Sequence, residues 1–298
     1  MSNNMKLVDL SHPFGAGCPL WPYFEDVKVE RMHYHAKSGV LSQKITTVMH
    51  CTTHADSPGH VVEGLRFTHE LPLDLYYGTG VVVDIPKNRW ELITAADLEN
   101  ATPKIEKGDI VIVHTGWNRY WGDNKEYFCY SPGLGREAGE WFVAKGVKAV
   151  GVDQQALDHP LHTAIGPHGP GPIMPSLSEE YKQMTGRDVL ADFPEWEPCH
   201  NLLIMPSLSE EYKQMTGRDV LADFPEWEPC HNLLLRNGIM GWENVGGDIA
   251  MVVGKRVTIM GLPLRWYMGD GSIVRMAALI DEKDINPVPP RVYKYGVV

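Results

Sequence analysis

His50-Cys51-Thr52-Thr53-His54-Ala55-Asp56-Ser57-Pro58-Gly59-His60 sets three imidazoles and a carboxylate at positions 50, 54, 56 and 60, all of one parity. Successive side chains of an extended strand alternate faces. A strand through this stretch therefore turns all four groups to one side and sends Cys51, Thr53 and Ala55 to the other. A helix fits less well: it keeps His50 and His54 together but swings Asp56 round the cylinder, and Pro58 opposes its continuation. The expectation is a strand running into a tight Ser-Pro-Gly turn. Neutral imidazole nitrogen and carboxylate oxygen suit zinc, manganese or iron, so the stretch reads as a metal or catalytic site. Cys51, on the opposite face, reads as a small buried apolar residue.

Working outward, residues 7–11 read as a first strand, followed by a Pro- and Gly-rich loop that holds Trp21 between Pro19 and Pro22. Residues 26–35 and 39–50 alternate like paired strands, the second delivering His50. Downstream, residues 80–85, 109–117 and 147–153 are continuous apolar strands, interleaved with a short helix at 94–98 and a helical period over 135–145. Alternating helices and continuous apolar strands predict an α/β protein with a mixed, partly parallel sheet. Residues 231–238 read as a helix closed by an Asn-Gly stop, and 239–245 as a strand. That strand carries Glu243 among apolar neighbours, where a carboxylate is costly unless it is paired, binds a cation or reaches solvent. Strands around 257–260 and 273–279 close the chain. His114, His159, His162 and His168 lie at a strand end or in a Gly- and Pro-rich loop and read as polar loop residues.

The chain has 298 residues and is 43% hydrophobic, enough for one sizeable core, and a single domain spanning 1–298 is expected. A net charge of -11 without any Lys/Arg run speaks against nucleic acid or an anionic membrane as partner. No apolar run is long enough to span a bilayer, and residues 1–6 lead into the first strand without a signal-peptide core. Five scattered cysteines without a CxxC pair fit reduced thiols, hence a cytoplasmic protein.

One feature stands apart from this pattern. Residues 173–203 recur without a change as 204–234, and one copy fewer would leave 267 residues, a comfortable size for one α/β domain. Each copy carries a capping box, Ser176 with Glu179 and Ser207 with Glu210, and each helix is expected to stop near Gly186 or Gly217. The duplication reads as an insertion that the fold accommodates as a bulge, with no function of its own.

The run from His50 to His60 resembles the His-x-Gly-Thr-His-x-Asp-x-Pro-x-His signature of the cyclase family, which includes bacterial kynurenine formamidase and isatin hydrolase. It departs at Thr52, where the family usually has Gly, a residue used where φ is positive. The resemblance implies the swivelling β/β/α fold of that family. It also implies a metal site of His50, His54 and Asp56, completed by a His and a Glu twelve residues later. His231 and Glu243 match in identity and spacing, whereas His200, in the other copy, has Tyr212 at that distance. His60 is the candidate general base, suited by an unperturbed pKa near neutrality. Trp21 matches the family's pocket-lining Trp, and Trp117 is a second candidate wall for a flat ring. The implied function is hydrolysis of a small amide, cyclic or N-formyl, by water activated on one or two zinc or manganese ions. A lactone hydrolase with the same site and a non-catalytic metal-binding protein are the alternatives. The small-molecule substrate and a homodimeric or homotetrameric state also follow from the resemblance.

Overall fold

The computed structural model describes residues 4–22, 24–163, 165, 176–192 and 229–288. In chain order the strands are β1 (Met5–Asp9), β2 (Lys28–His33), β3 (Ser42–Thr46), β4 (His54–Asp56), β5 (Tyr77–Asp84), β6 (Leu92–Ile93), β7 (Ile110–His114), β8 (Gly133–Leu134), β9 (Ala149–Val152), β10 (Met240–Glu243), β11 (Lys255–Met260), β12 (Gly271–Ile273) and β13 (Ala277–Asp281). The helices are α1 (His35–Ser38), α2 (Pro58–Val61), α3 (Ala95–Asn100), α4 (Lys125–Cys129), α5 (Arg136–Lys145), α6 (Ser176–Thr185), α7 (Val189–Asp192) and α8 (Pro229–Arg236), joined by short 3-10 turns.

Nine strands form one mixed sheet in the order β1-β13-β11-β5-β7-β9-β10-β4-β12. Its centre, β5-β7-β9-β10, is parallel, and antiparallel strands extend it on both sides. The central strands read as unbroken apolar runs because both faces are covered. Val81, Val83, Val111, Val113, Val150 and Val152 face one core with Ala138 and Phe142 of α5 and Cys230 and Leu234 of α8. Val82, Ile110, Ile112 and Ala149 face the other, with Trp242, Ile259 and Met276. Truncating a ring such as Phe142 to Ala costs about 3–5 kcal/mol, the transfer term plus the cavity left behind.

Local signals set the helix ends. Thr94 accepts from Asp97 N, and the Asp97 carboxylate accepts in return from Thr94 N, so α3 begins in a reciprocal cap. Gly186, at φ +72°, ends α6 as expected, and Gly238, at φ +71°, follows α8. The second copy's counterpart, with Ser207, Glu210 and Gly217, lies outside the described residues. So does His168.

Three sequence expectations change. The strand expected to carry His50 ends at Thr46, and β2–β3 form a separate exposed hairpin. The single strand expected over 273–279 is two: β12 pairs with β4, while β13 pairs with β1 and β11. The extended stretch from His50 shrinks to His54–Asp56, because residues 49–53 bend and Thr52 adopts a left-handed φ of 50°.

Candidate metal centre

β4 lies between β10 and β12, and this pairing assembles the site. Glu243 stands opposite His54 on β10, while Gly241 and Gly271 flank Asp56 from the two sides. Both glycines are needed for space. A Cβ at Gly271 would lie 2.5 Å from His50 Cε1, and one at Gly241 would lie 2.7 Å from Leu157 Cδ1. Glu243 ends β10, so the site opens at the carboxyl ends of the parallel strands, where α/β sheets form their crevices. His231 comes from the first turn of α8, which sits tightly on α5. A Cβ at Gly139 would come within 3.1 Å of Leu233 and 3.4 Å of Cys230 Sγ.

Each of three histidines turns one ring nitrogen outward to an acceptor and the other inward to the carboxylates. His54 Nδ1 lies 2.9 Å from Thr52 O, and its Nε2 is 3.5 Å from Asp56 and 3.3 Å from Glu243. His231 Nδ1 lies 2.6 Å from Asp158, and its Nε2 is 2.8 Å from Glu243 and 3.6 Å from Asp56. His50 Nε2 lies 3.0 Å from Asp270, and its Nδ1 is 2.8 Å from Asp56. Outer acceptors of this kind set the tautomer and orientation of metal-ligating imidazoles. Asp158 also accepts from the backbone N–H groups of Cys230 and His231, fixing the start of α8.

The donor set fits a cation. Asp56 is buried among three imidazole nitrogens within 3.6 Å, yet none of them reaches either carboxylate oxygen with hydrogen-bond geometry. A buried carboxylate left so is costly unless a cation meets it. Ligand atoms about 2.1 Å from a tetrahedral zinc lie about 3.4 Å from each other, close to the spacing found. His50, His54 and Asp56 form one candidate group and Asp56, His231 and Glu243 another, sharing Asp56.

Electrostatics agree. Burial alone would raise the Asp56 and Glu243 carboxyls, yet the surrounding histidines hold Asp56 well below its usual range and Glu243 down to about 2. Burial lowers His50, but Asp270 and Asp56 outweigh it and push it up to about 10. These ionised acids call for positive charge at their centre. His60, in α2, differs: although its ring reaches solvent, desolvation by the packing around it, then the neighbouring His50, push its imidazole below the near-neutral pKa expected of a base. Its ring stacks on His50 at 3.9 Å, and its Nδ1 is 3.9 Å from Asp270.

All six residues expected at the centre thus converge. The two tryptophans belong to the aromatic cluster of Trp90, Tyr127 and Phe128. Trp117 is 1% exposed, its indole N–H donates to Tyr127 O, and Trp21 packs, half-buried, against the same aromatic cluster. His114 pairs with Asp84 instead, and His159 and His162 are buried near the turn that follows β9. Sequence reasoning missed Asp158 and Asp270. The latter lies between Gly269 and Gly271, a pattern that signals only a turn.

Known proteins place this geometry in a class. The model of the Cyclase family matches residues 8–159, and this chain belongs to that family. Kynurenine formamidase of Erythrobacter litoralis (strain HTCC2594) is 30% identical over 154 residues, covering 51% of this chain and 68% of that protein. A crystal structure of an isatin hydrolase bound to the product analogue thioisatinate superposes with a TM-score of 0.67 at 17% identity, covering 94% of each chain. Isatin hydrolase A from Labrenzia aggregata, bound to benzyl benzoate, gives 0.65 at 18% identity, covering 94% of this chain and 96% of that one. These structural likenesses establish a shared fold. Among the described residues no helix is long and apolar enough to cross a membrane.

Proposed function

We propose that this protein is a metal-dependent hydrolase that cleaves the C–N bond of a small amide, cyclic or N-formyl. The observation that carries the reading is the buried carboxylate of Asp56, on which the ring nitrogens of His50, His54 and His231 converge at metal-ligand spacing. The kynurenine formamidase relative supports an amide as substrate. His50, His54, Asp56, His231 and Glu243 would hold one or two divalent cations, zinc or manganese. Bound there, the cation supplies Lewis acidity for activating water and the substrate carbonyl.

The chain's own groups do the rest. Asp158, Thr52 O and Asp270 hold the ligand imidazoles in their tautomers. His60, kept neutral, accepts the proton of the attacking water and returns it to the leaving nitrogen. Trp21 contributes an aromatic surface for a flat substrate. Oligomerisation as a homodimer or homotetramer and a cytoplasmic location complete the proposal, with the chain acting as one domain.

The test is a hydrolysis panel of isatin, N-formylkynurenine, a γ-lactam and a dienelactone on metal-loaded protein, each with a chelator control. Turnover of an amide that the chelator abolishes is the expected result. Turnover of the lactone alone would transfer the assignment to ester chemistry. Stoichiometric metal binding without any turnover would make the protein a non-catalytic metal binder.

A further inference from the structure

Asp270 is absent from the signature and from the His231–Glu243 pair, yet among the described residues it is the one carboxylate within 4 Å of both a proposed ligand and the proposed base. Its Oδ2 lies 3.0 Å from His50 Nε2 and 3.9 Å from His60 Nδ1. The two rings it faces are stacked on each other at 3.9 Å, so one oxygen sits at the shared edge of the pair.

An aspartate whose side chain is 45% exposed is ordinarily a weak and mobile partner. This one has a fixed backbone. Asp270 O accepts from both Ser57 N, at 2.9 Å, and Ser57 Oγ, at 2.8 Å, and Ser57 directly precedes α2. The preceding Gly269 O accepts from Thr68 N at 2.9 Å. On the other side Gly271 pairs with Asp56 on β4, and its carbonyl accepts from Trp266 Nε1 at 2.8 Å. The missing Cβ of Gly271 is what lets His50 approach. The segment carrying Asp270 is therefore tied to the helix of His60 and to the strand of Asp56, and its carboxylate is held between them.

We propose that Asp270 is a positioning residue with two arms: it anchors His50 through Nε2 so that Nδ1 faces the cation, and it orients the stacked His60 for proton transfer. The inference rests on the reading of the site given above. His50 then has the same outer carboxylate that Asp158 gives His231, and the base is coupled to the metal ligand through one oxygen. Loss of such an outer partner lowers metal affinity by about 10–100-fold.

The experiment compares wild type, Asp270→Ala and Asp270→Asn. Zinc affinity is measured by chelator competition, and kcat and KM on the amide identified by the panel are measured at saturating zinc. Circular dichroism confirms that each variant is folded. Asp270→Ala is expected to bind zinc about 10–100-fold more weakly and, once saturated, to show a lowered kcat with little change in KM. Asp270→Asn, which keeps an oxygen acceptor, is expected to recover part of both losses. Unchanged zinc affinity, or a kcat restored in full by saturating zinc, would overturn the inference while leaving the hydrolase reading intact. If wild type itself neither binds zinc nor cleaves an amide, that reading falls and the role of Asp270 falls with it.

Discussion

The arm of the site formed by His50, His54, Asp56 and His60 lies within eleven residues of chain, whereas the arm of His231 and Glu243 rests on a helix and a strand far downstream. The first is delivered by β4, the bend before it and the short helix α2, with the Asp270–Gly271 segment packed against it. The second needs α8 docked on α5 through Gly139, its first turn capped by Asp158, and β10 paired with β4. Asp56 belongs to both candidate ligand groups and is where the arms meet. The comparison teaches that the compact arm carries its chemistry in its spacing, while the dispersed arm depends on packing that any rearrangement of the chain before α8 could disturb.

The largest effect should come from breaking the meeting point. Asp56→Asn is expected to abolish stoichiometric metal binding and to reduce turnover below detection, read by metal analysis and by the hydrolysis panel. His60→Ala should separate chemistry from binding: kcat falls by about 10²–10⁴-fold while metal content stays at the wild-type level. Equal loss of metal would instead make His60 a ligand.

On the dispersed arm, Asp158→Ala removes the partner of His231 Nδ1 and the acceptor for two N–H groups of α8. Metal affinity is expected to drop by about 10–100-fold, measured by chelator competition. An unchanged affinity would show that α8 holds His231 without its outer carboxylate.

The duplication tests the same arm from a distance. Among the described residues, α6 and α7 come from the first copy and Pro229 to Leu234 of α8 from the second. Deleting residues 193–223 joins Asp192 to Phe224 and restores an unduplicated sequence. Activity is expected to be retained, with stability raised by at most about 2 kcal/mol through the shorter connection between α7 and α8, read by denaturant titration. Loss of activity would give the extra residues a role.

The smallest effect concerns the compact arm. Thr52 is β-branched yet sits at φ 50°, a conformation that costs a side chain about 1–2 kcal/mol. Thr52→Gly is expected to stabilise the protein by about 1 kcal/mol and leave metal affinity unchanged, because the carbonyl that anchors His54 remains.

Much of this was legible in the chain. The parallel centre was visible because strands covered on both faces must be continuously apolar, as residues 80–85, 109–117 and 147–153 are. The candidate metal residues were visible because imidazoles and carboxylates at signature spacing are costly to gather for any other purpose. The strand register was not. The alternation from His50 suggested a strand running into a Ser-Pro-Gly turn, but Thr52 turns the backbone, His50 reaches the site from a bend, and Pro58–Val61 is a short helix. The sequence by itself determined which residue types could hold a cation and that a helix and a strand would bring the second arm. Only the tertiary structure decided their outer acceptors. Asp158 and Asp270 reach His231 and His50 across separations that local spacing cannot encode, through strand pairing and helix docking set by the whole core.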